Sequence, residues 1–359
     1  MLHARLWDEK LKSYGARLFF DVVKRQNGAG APRFCERMAR RMKIVILDGA
    51  GLNPGDLSWA EIKSLGQTEI YDKTAPGQLL ERAADAEVLI TNKTPLTAGD
   101  LAALPELRYI GLCSTGYNIV DTGAAAGRGI PVTNVPSYCT LAVAQMTFAL
   151  LLELPNRVGL HDRAVHQGEW AKSPNFCFWL APLTELEGKT MGVLGFGGIG
   201  QRVARIADSM GMRVVVNTRR RIGMPPYCEA VDFETLLRRS DVLSVNVPLT
   251  PQTEKIIGAR ALALMKRDAI LINTSRGQVL DEDAVALALR EGRLGGCGVD
   301  VLSAEPPKAD NPLLTAPNCV ITPHIAWAAR QSRERLMRTV AENLRCFLNG
   351  SPQNVVNGL

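Results

Sequence analysis

No stretch of this sequence is apolar for long enough to cross a membrane. The longest apolar run, near residues 147–152, falls far short of the ~18 residues that a span needs, so an integral membrane protein is excluded. Histidine is scarce: His3, His161, His166 and His324 are the whole supply. His161 and His166 stand five apart, which misaligns them on a helix, so no metal pair is expected. The eight cysteines (Cys35, Cys113, Cys139, Cys177, Cys228, Cys297, Cys319 and Cys346) are scattered without one C-x-x-C. That pattern argues against a zinc site or a disulfide framework and suits a reducing, cytoplasmic setting.

Excess charge is also missing from most of the chain. The net charge is +6, yet residues 1–41 alone hold ten Lys/Arg against four Asp/Glu, and residues 42–359 hold 32 of each sign. The body is neutral, so a basic groove for nucleic acid has no support there. Four acidic residues and one serine fit residues 1–41 poorly to a mitochondrial presequence. Met42 precedes the first strand-like run directly and could itself be the start. The expectation is a basic, weakly ordered N-terminal extension with no catalytic role.

What is present is alternation. Strand-like runs at 43–47, 69–71, 88–91, 109–113 and 130–133 are separated by helical stretches at 57–65, 77–84 and 98–103. Ser137 and Thr140 look like caps for a long helix, 141–154, apolar nearly all round and so suited to burial between domains or subunits. A second series follows, with strands at 191–194, 213–216, 242–247, 269–273, 298–301 and 320–322. Helices are expected at 199–209, 233–238 and 331–348. This order predicts an α/β protein of two doubly wound, parallel-sheet (Rossmann-like) units.

Gly195-Phe196-Gly197-Gly198-Ile199-Gly200 satisfies G-x-G-x-x-G, directly after the strand 191–194 and at the start of the helix 199–209. In that setting the motif marks a dinucleotide site. Gly195 permits the tight turn, Gly197 lets backbone approach the pyrophosphate, and Gly200 lets helix and strand pack closely. The helix N-terminus offers N–H groups to the phosphates. An acidic residue for the ribose 2′-hydroxyl is expected about 20 residues on. Here the strand 213–216 runs instead into Asn217, Thr218, Arg219, Arg220 and Arg221. A hydroxyl followed by arginines suits a 2′-phosphate; a solvated basic turn is the plainer alternative. The reading is NADP(H) preferred, with NAD(H) possible.

Three further residues each follow a strand, where open α/β sheets place their active groups. They are Arg276 in Asn273-Thr274-Ser275-Arg276-Gly277, Glu305 after Asp300, and His324 after Pro323. Taken singly, each has an ordinary explanation: a surface ion pair, a loop carboxylate, a satisfied histidine. Together with the glycine loop, in this order and spacing, they resemble the D-isomer-specific 2-hydroxyacid dehydrogenase family over residues 42–359. Segments 112–118 and 175–179 resemble its glycerate dehydrogenase (hydroxypyruvate reductase) branch most.

The resemblance implies a catalytic set. His324 donates the proton, Glu305 holds the other ring nitrogen, and Arg276 binds the substrate carboxylate or polarises the carbonyl. Such roles agree with the chemistry of the groups. Ser114, Thr115 and Gly116, helped by Lys93, would hold the carboxylate. Asp300 would orient the nicotinamide amide, with Thr274 and Ser275 close by. Val247, Pro248 and Thr253 would flank the adenine or ribose. Residues 42–140 with 325–359 would form the substrate domain and 141–324 the dinucleotide-binding domain, with a cleft between them. A homodimer through the helix 141–154 and the segment reaching Trp179 is expected, with a small 2-oxo or 2-hydroxy acid as partner and no metal. Hydroxypyruvate and glyoxylate lead, and Trp179 and Trp327 either shape a small pocket or simply pack. The alternative is a non-enzymatic, dinucleotide-sensing regulator on the same fold, like the corepressors that resemble this family. Formate dehydrogenase, another relative, is disfavoured by Glu305.

Overall fold

A computed structural model describes residues 42–219 and 223–359. The basic extension 1–41 and Arg220 of the cofactor assignment lie outside them. The chain forms two compact units, residues 42–138 with Glu334–Leu359, and Cys139–Arg333. The second crossing lies inside the helix Arg330–Leu348 rather than near 324, because the backbone at 324–326 is hydrogen-bonded to Asp300 of the second unit.

The first unit holds five parallel strands: β1 (Lys43–Ile46), β2 (Gln67–Ile70), β3 (Val88–Thr91), β4 (Tyr109–Leu112) and β5 (Val132–Thr133). Their order is β2-β1-β3-β4-β5, and every pairing is parallel. β3 and β4 are buried along their whole length, which is why they read as unbroken apolar runs. One core gathers Val45, Leu89, Ile110 and Val132. Polar caps set the helix starts: Thr97 and Asp100 form a reciprocal capping box, and Asp121 accepts from the Ala124 N–H.

The second unit holds β6 (Thr190–Leu194), β7 (Arg213–Asn217), β8 (Cys228–Ala230), β9 (Val242–Val245), β10 (Ile270–Asn273), β11 (Gly296–Val299) and β12 (Cys319–Ile321). Their order, β12-β11-β10-β9-β6-β7-β8, reverses direction between β6 and β9. That reversal is the switch point at which open α/β sheets take their ligands. Leu243, Val245 and Leu271 face one core, while Val193, Val216 and Ile272 pack under Phe148 and Leu151 on the opposite face. Phe148 and Leu151 belong to α1 (Thr140–Asn156). Thr140 is the first helical residue rather than a cap, and Cys139 precedes it without a side-chain cap. The helix ends at Arg157, in the left-handed region at φ 51°. It buries one face only, and Leu141 is half exposed on the other. Among the described residues, no helix is long and apolar enough to cross a membrane.

Two loops at the C-terminal edge of this sheet are locked together. A Cβ on Gly277, just past β10, would lie 1.9 Å from the Leu302 carbonyl carbon past β11. Gln278 Nε2 also donates to the Ser303 carbonyl at 2.8 Å. Gly277→Ala must therefore push the loops apart. It is expected to cost roughly 1–3 kcal/mol by overpacking, seen as a Tm several degrees lower in a thermal melt; an unchanged Tm would mean that the two loops separate freely.

Candidate active site

The glycine loop leaves β6 at the switch point. Gly195 has φ 91°, and a Cβ there would stand 2.6 Å from the Asn246 carbonyl oxygen. A Cβ on Gly200 would meet the Gly195 carbonyl at 2.1 Å. Neither position tolerates a side chain. Gly197 is different: a Cβ there meets nothing within 4 Å, so this glycine opens onto space. Gly197 caps α2 (Gly198–Ser209) with no side-chain hydrogen bond. The first-turn amides of α2 therefore lack a side-chain cap and suit an anion. Gly198 is exposed, and Ile199 packs against the core beneath.

Asn246, one residue past β9, adds an orphaned acceptor. Its Nδ2 donates to the Ser244 carbonyl (3.1 Å) and hydroxyl (3.0 Å), while its buried Oδ1 has no partner among the described residues. A cradle without side chains, an uncapped helix start and an unpaired acceptor fit a dinucleotide. Beyond β7, Asn217 is spent on the Val231 carbonyl at 3.0 Å. Thr218 is half-buried, Arg219 is exposed, and no carboxylate occurs between Arg213 and Cys228. Val247 packs against the core and Pro248 is exposed. The Thr253 hydroxyl donates to the Pro248 carbonyl at 2.6 Å and accepts from the Thr250 N–H at 2.8 Å, closing that loop on itself.

His324 and Glu305 meet. His324 Nδ1 lies 2.6 Å from Glu305 Oε2, and Glu305 Oε1 accepts from the Leu302 N–H at 3.2 Å. The imidazole is half-buried, and its Nε2 remains for other work. His324 holds φ 53°, a left-handed backbone that needs outside support. That support is Asp300. Its Oδ1 accepts from Thr322 Oγ1 (2.6 Å) and the Ile325 N–H (2.9 Å), its Oδ2 from the Ala326 N–H (2.8 Å), and its carbonyl from the His324 N–H (2.8 Å). Trp327 closes the turn by donating to the His324 carbonyl at 2.9 Å. Sequence reasoning aimed Asp300 at the cofactor; the structure spends three hydrogen bonds of this buried carboxylate on the loop that carries His324.

Arg276 is exposed, and its guanidinium donates to the Ser275 carbonyl at 2.7 Å. Asn273 shapes its turn by donating to the Arg276 carbonyl (2.8 Å) and accepting from the Ser275 N–H (3.0 Å) and hydroxyl (2.7 Å). Thr274 is buried, with its hydroxyl 3.1 Å from that of Thr147 on α1.

In the first unit, Ser114 donates its hydroxyl to the Gly116 carbonyl at 2.6 Å, and Thr115 donates to the Val135 carbonyl at 2.8 Å. The N–H groups of Ser114, Thr115 and Gly116 have no acceptor among the described residues. Three successive amides of this kind suit a carboxylate. Lys93 is exposed on the loop after β3, with its backbone N–H on Asp48. Neither Asp48 nor Asn246 was singled out from sequence. The only available signal was position, within two residues of a strand's C-terminal end.

Comparison with known proteins follows the same lines. Residues 148–326 match the family "D-isomer specific 2-hydroxyacid dehydrogenase, NAD binding domain". A hydroxypyruvate reductase of Blautia hydrogenotrophica is 45% identical over 321 residues, covering 88% of this chain and 100% of that protein. A glycerate dehydrogenase of Methylorubrum extorquens is 38% identical over 317 residues, covering 88% and 98%. Among solved structures, an acyclic imino acid reductase in complex with NADPH and D-Arg superposes with a TM-score of 0.76 at 31% identity, covering 88% of this chain and 100% of that one. The two parallel sheets, the glycine loop at the switch point and this likeness over nearly the whole of each relative place the chain in the D-isomer-specific 2-hydroxyacid dehydrogenase family.

Proposed function

We propose that this dehydrogenase reduces a small 2-oxo acid, hydroxypyruvate or glyoxylate, to the D-2-hydroxy acid, and that it prefers NADPH to NADH. The observation that carries the reading is the 2.6 Å contact between His324 and Glu305. A bound nicotinamide supplies the hydride. His324 Nε2, the nitrogen Glu305 leaves alone, gives a proton to the carbonyl oxygen. Glu305 accepts from Nδ1–H, fixes the ring and stabilises imidazolium until the proton leaves. Arg276 binds the carboxylate and polarises the carbonyl. Ser114, Thr115, Gly116 and Lys93 are assigned to the substrate carboxylate. Gly195–Gly200 and the start of α2 would hold the pyrophosphate, with Thr274 and Ser275 toward the nicotinamide and Asp300 bracing the neighbouring His324 loop. Val247, Pro248 and Thr253 flank the adenine or ribose. The regulator alternative gains nothing from the relatives, whose names are those of a reductase and a dehydrogenase.

The NADPH preference rests on Thr218 and Arg219 where a carboxylate would repel a 2′-phosphate. The homodimer rests on exposed apolar side chains along one segment of the second unit: Trp170, Phe176 (90% exposed), Trp179 (68%), Leu180 and Leu183. A second copy covering them would remove a large apolar patch from water. A cytoplasmic setting is in keeping with seven free cysteines among the described residues.

His324→Gln is expected to lower kcat by about 10²–10⁴-fold, the range for loss of a general acid, with NADPH affinity by fluorescence titration unchanged. Near-normal turnover would reject the assignment. Arg219→Ser should cut the NADPH-to-NADH ratio of kcat/KM by about tenfold, as loss of one charge-assisted contact does; equal or better use of NADH by the unaltered enzyme would refute the preference. Phe176→Asp with Trp179→Asp should shift the sedimentation coefficient from dimer to monomer. A monomeric unaltered protein would remove that part of the reading.

A further inference from the structure

We propose that Asp48 is a positioning residue for the 2-oxo acid, holding the loop that presents Lys93; the inference rests on the assignment of Lys93 to the substrate carboxylate. In the first sheet the strand order β2-β1-β3-β4-β5 reverses between β1 and β3. The residues just past those two strands are Asp48 and Asn92-Lys93-Thr94. A reversal of this kind opens a crevice at the C-terminal edge, and here a carboxylate of the chain itself gathers the loop at that point.

Asp48 Oδ1 accepts from the Asn92 N–H at 2.8 Å. Its Oδ2 accepts from the N–H groups of Lys93 (2.5 Å) and Thr94 (2.8 Å) and from the hydroxyls of Thr91 and Thr94, each at 3.2 Å. Three consecutive amides thus converge on one carboxylate, which fixes the loop backbone. With its amides consumed, the loop has the Lys93 side chain left to offer. Lys93 is exposed, and no hydrogen-bond or ion-pair partner meets its ammonium among the described residues. The charge of Asp48 also reaches the other carboxylate-binding loop. Burial, and then the nearby Asp48, raise the thiol of Cys113, the residue before Ser114. One anion therefore sits at the root of both segments assigned to substrate, and it fixes the backbone that carries the Lys93 cation.

Asp48→Asn keeps the size but turns an NH2 group toward amide donors, so part of the cage opens. The expected result is a KM for hydroxypyruvate raised about tenfold with kcat changed by less than about twofold, the signature of lost ground-state positioning. The NADPH dissociation constant, read by fluorescence, stays fixed. Thr94→Val removes one hydroxyl donor and should raise KM in the same direction by less; it carries the test if Asp48→Asn does not fold. In the double variant Asp48→Asn/Lys93→Ala, KM should equal that of Lys93→Ala alone, because the two act through one group. A normal KM in Asp48→Asn beside a raised KM in Lys93→Ala overturns the inference and leaves the substrate site standing. Multiplying effects in the double variant overturn it equally. A normal KM in Lys93→Ala removes both the inference and the role given to that lysine.

Discussion

The buried carboxylate of Asp300 is the constraint on which the loop carrying His324 hangs. It anchors the end of β11 and takes donors from Thr322, Ile325 and Ala326, so the loop past β12 has little freedom. His324 can then hold a left-handed backbone that an unsupported histidine would leave. With the ring so placed, Glu305 Oε2 lies 2.6 Å from Nδ1 and Nε2 is left to the proposed proton transfer. Loosening Asp300 would cost the orientation of that ring first.

Glu305 is held in its turn by neighbours outside the proposed catalytic set. Leu302 donates to its second oxygen, and Leu302 is also the residue against which Gly277 packs. Arg276 precedes Gly277, so the loops bearing the arginine and the carboxylate are pinned at one point. The precision required of such groups is well under an ångström. Backbone contact between loops supplies it more rigidly than long side chains could.

Much of this was legible in the residues, for identifiable reasons. Strands buried on both faces, such as Val88–Thr91 and Val242–Val245, read as apolar runs. The glycine motif stood out because strand and helix flanked it. The order Arg276, Glu305, His324 carried the family likeness. Short helices were missed: Ala259–Leu264 and Glu282–Arg290 lack a long polar-apolar period, although Asp281 caps the second. Gly296 and Cys297 start β11 two residues early because small residues carry little strand signal. Least visible were the duties of Asp48 and Asp300. Their partners are backbone amides up to 46 and 26 residues away, and an amide has no letter in a sequence.

All strands of the second sheet run the same way, so the glycine loop and the segments bearing Arg276, Glu305 and His324 all follow strands at one rim of that sheet. At the opposite rim lie connections, among them the exposed turns at 266–268 and 291–293. Those turns are natural places to graft a label, an affinity handle or a reporter domain, since an added segment there is separated from the chemistry by the full length of the strands.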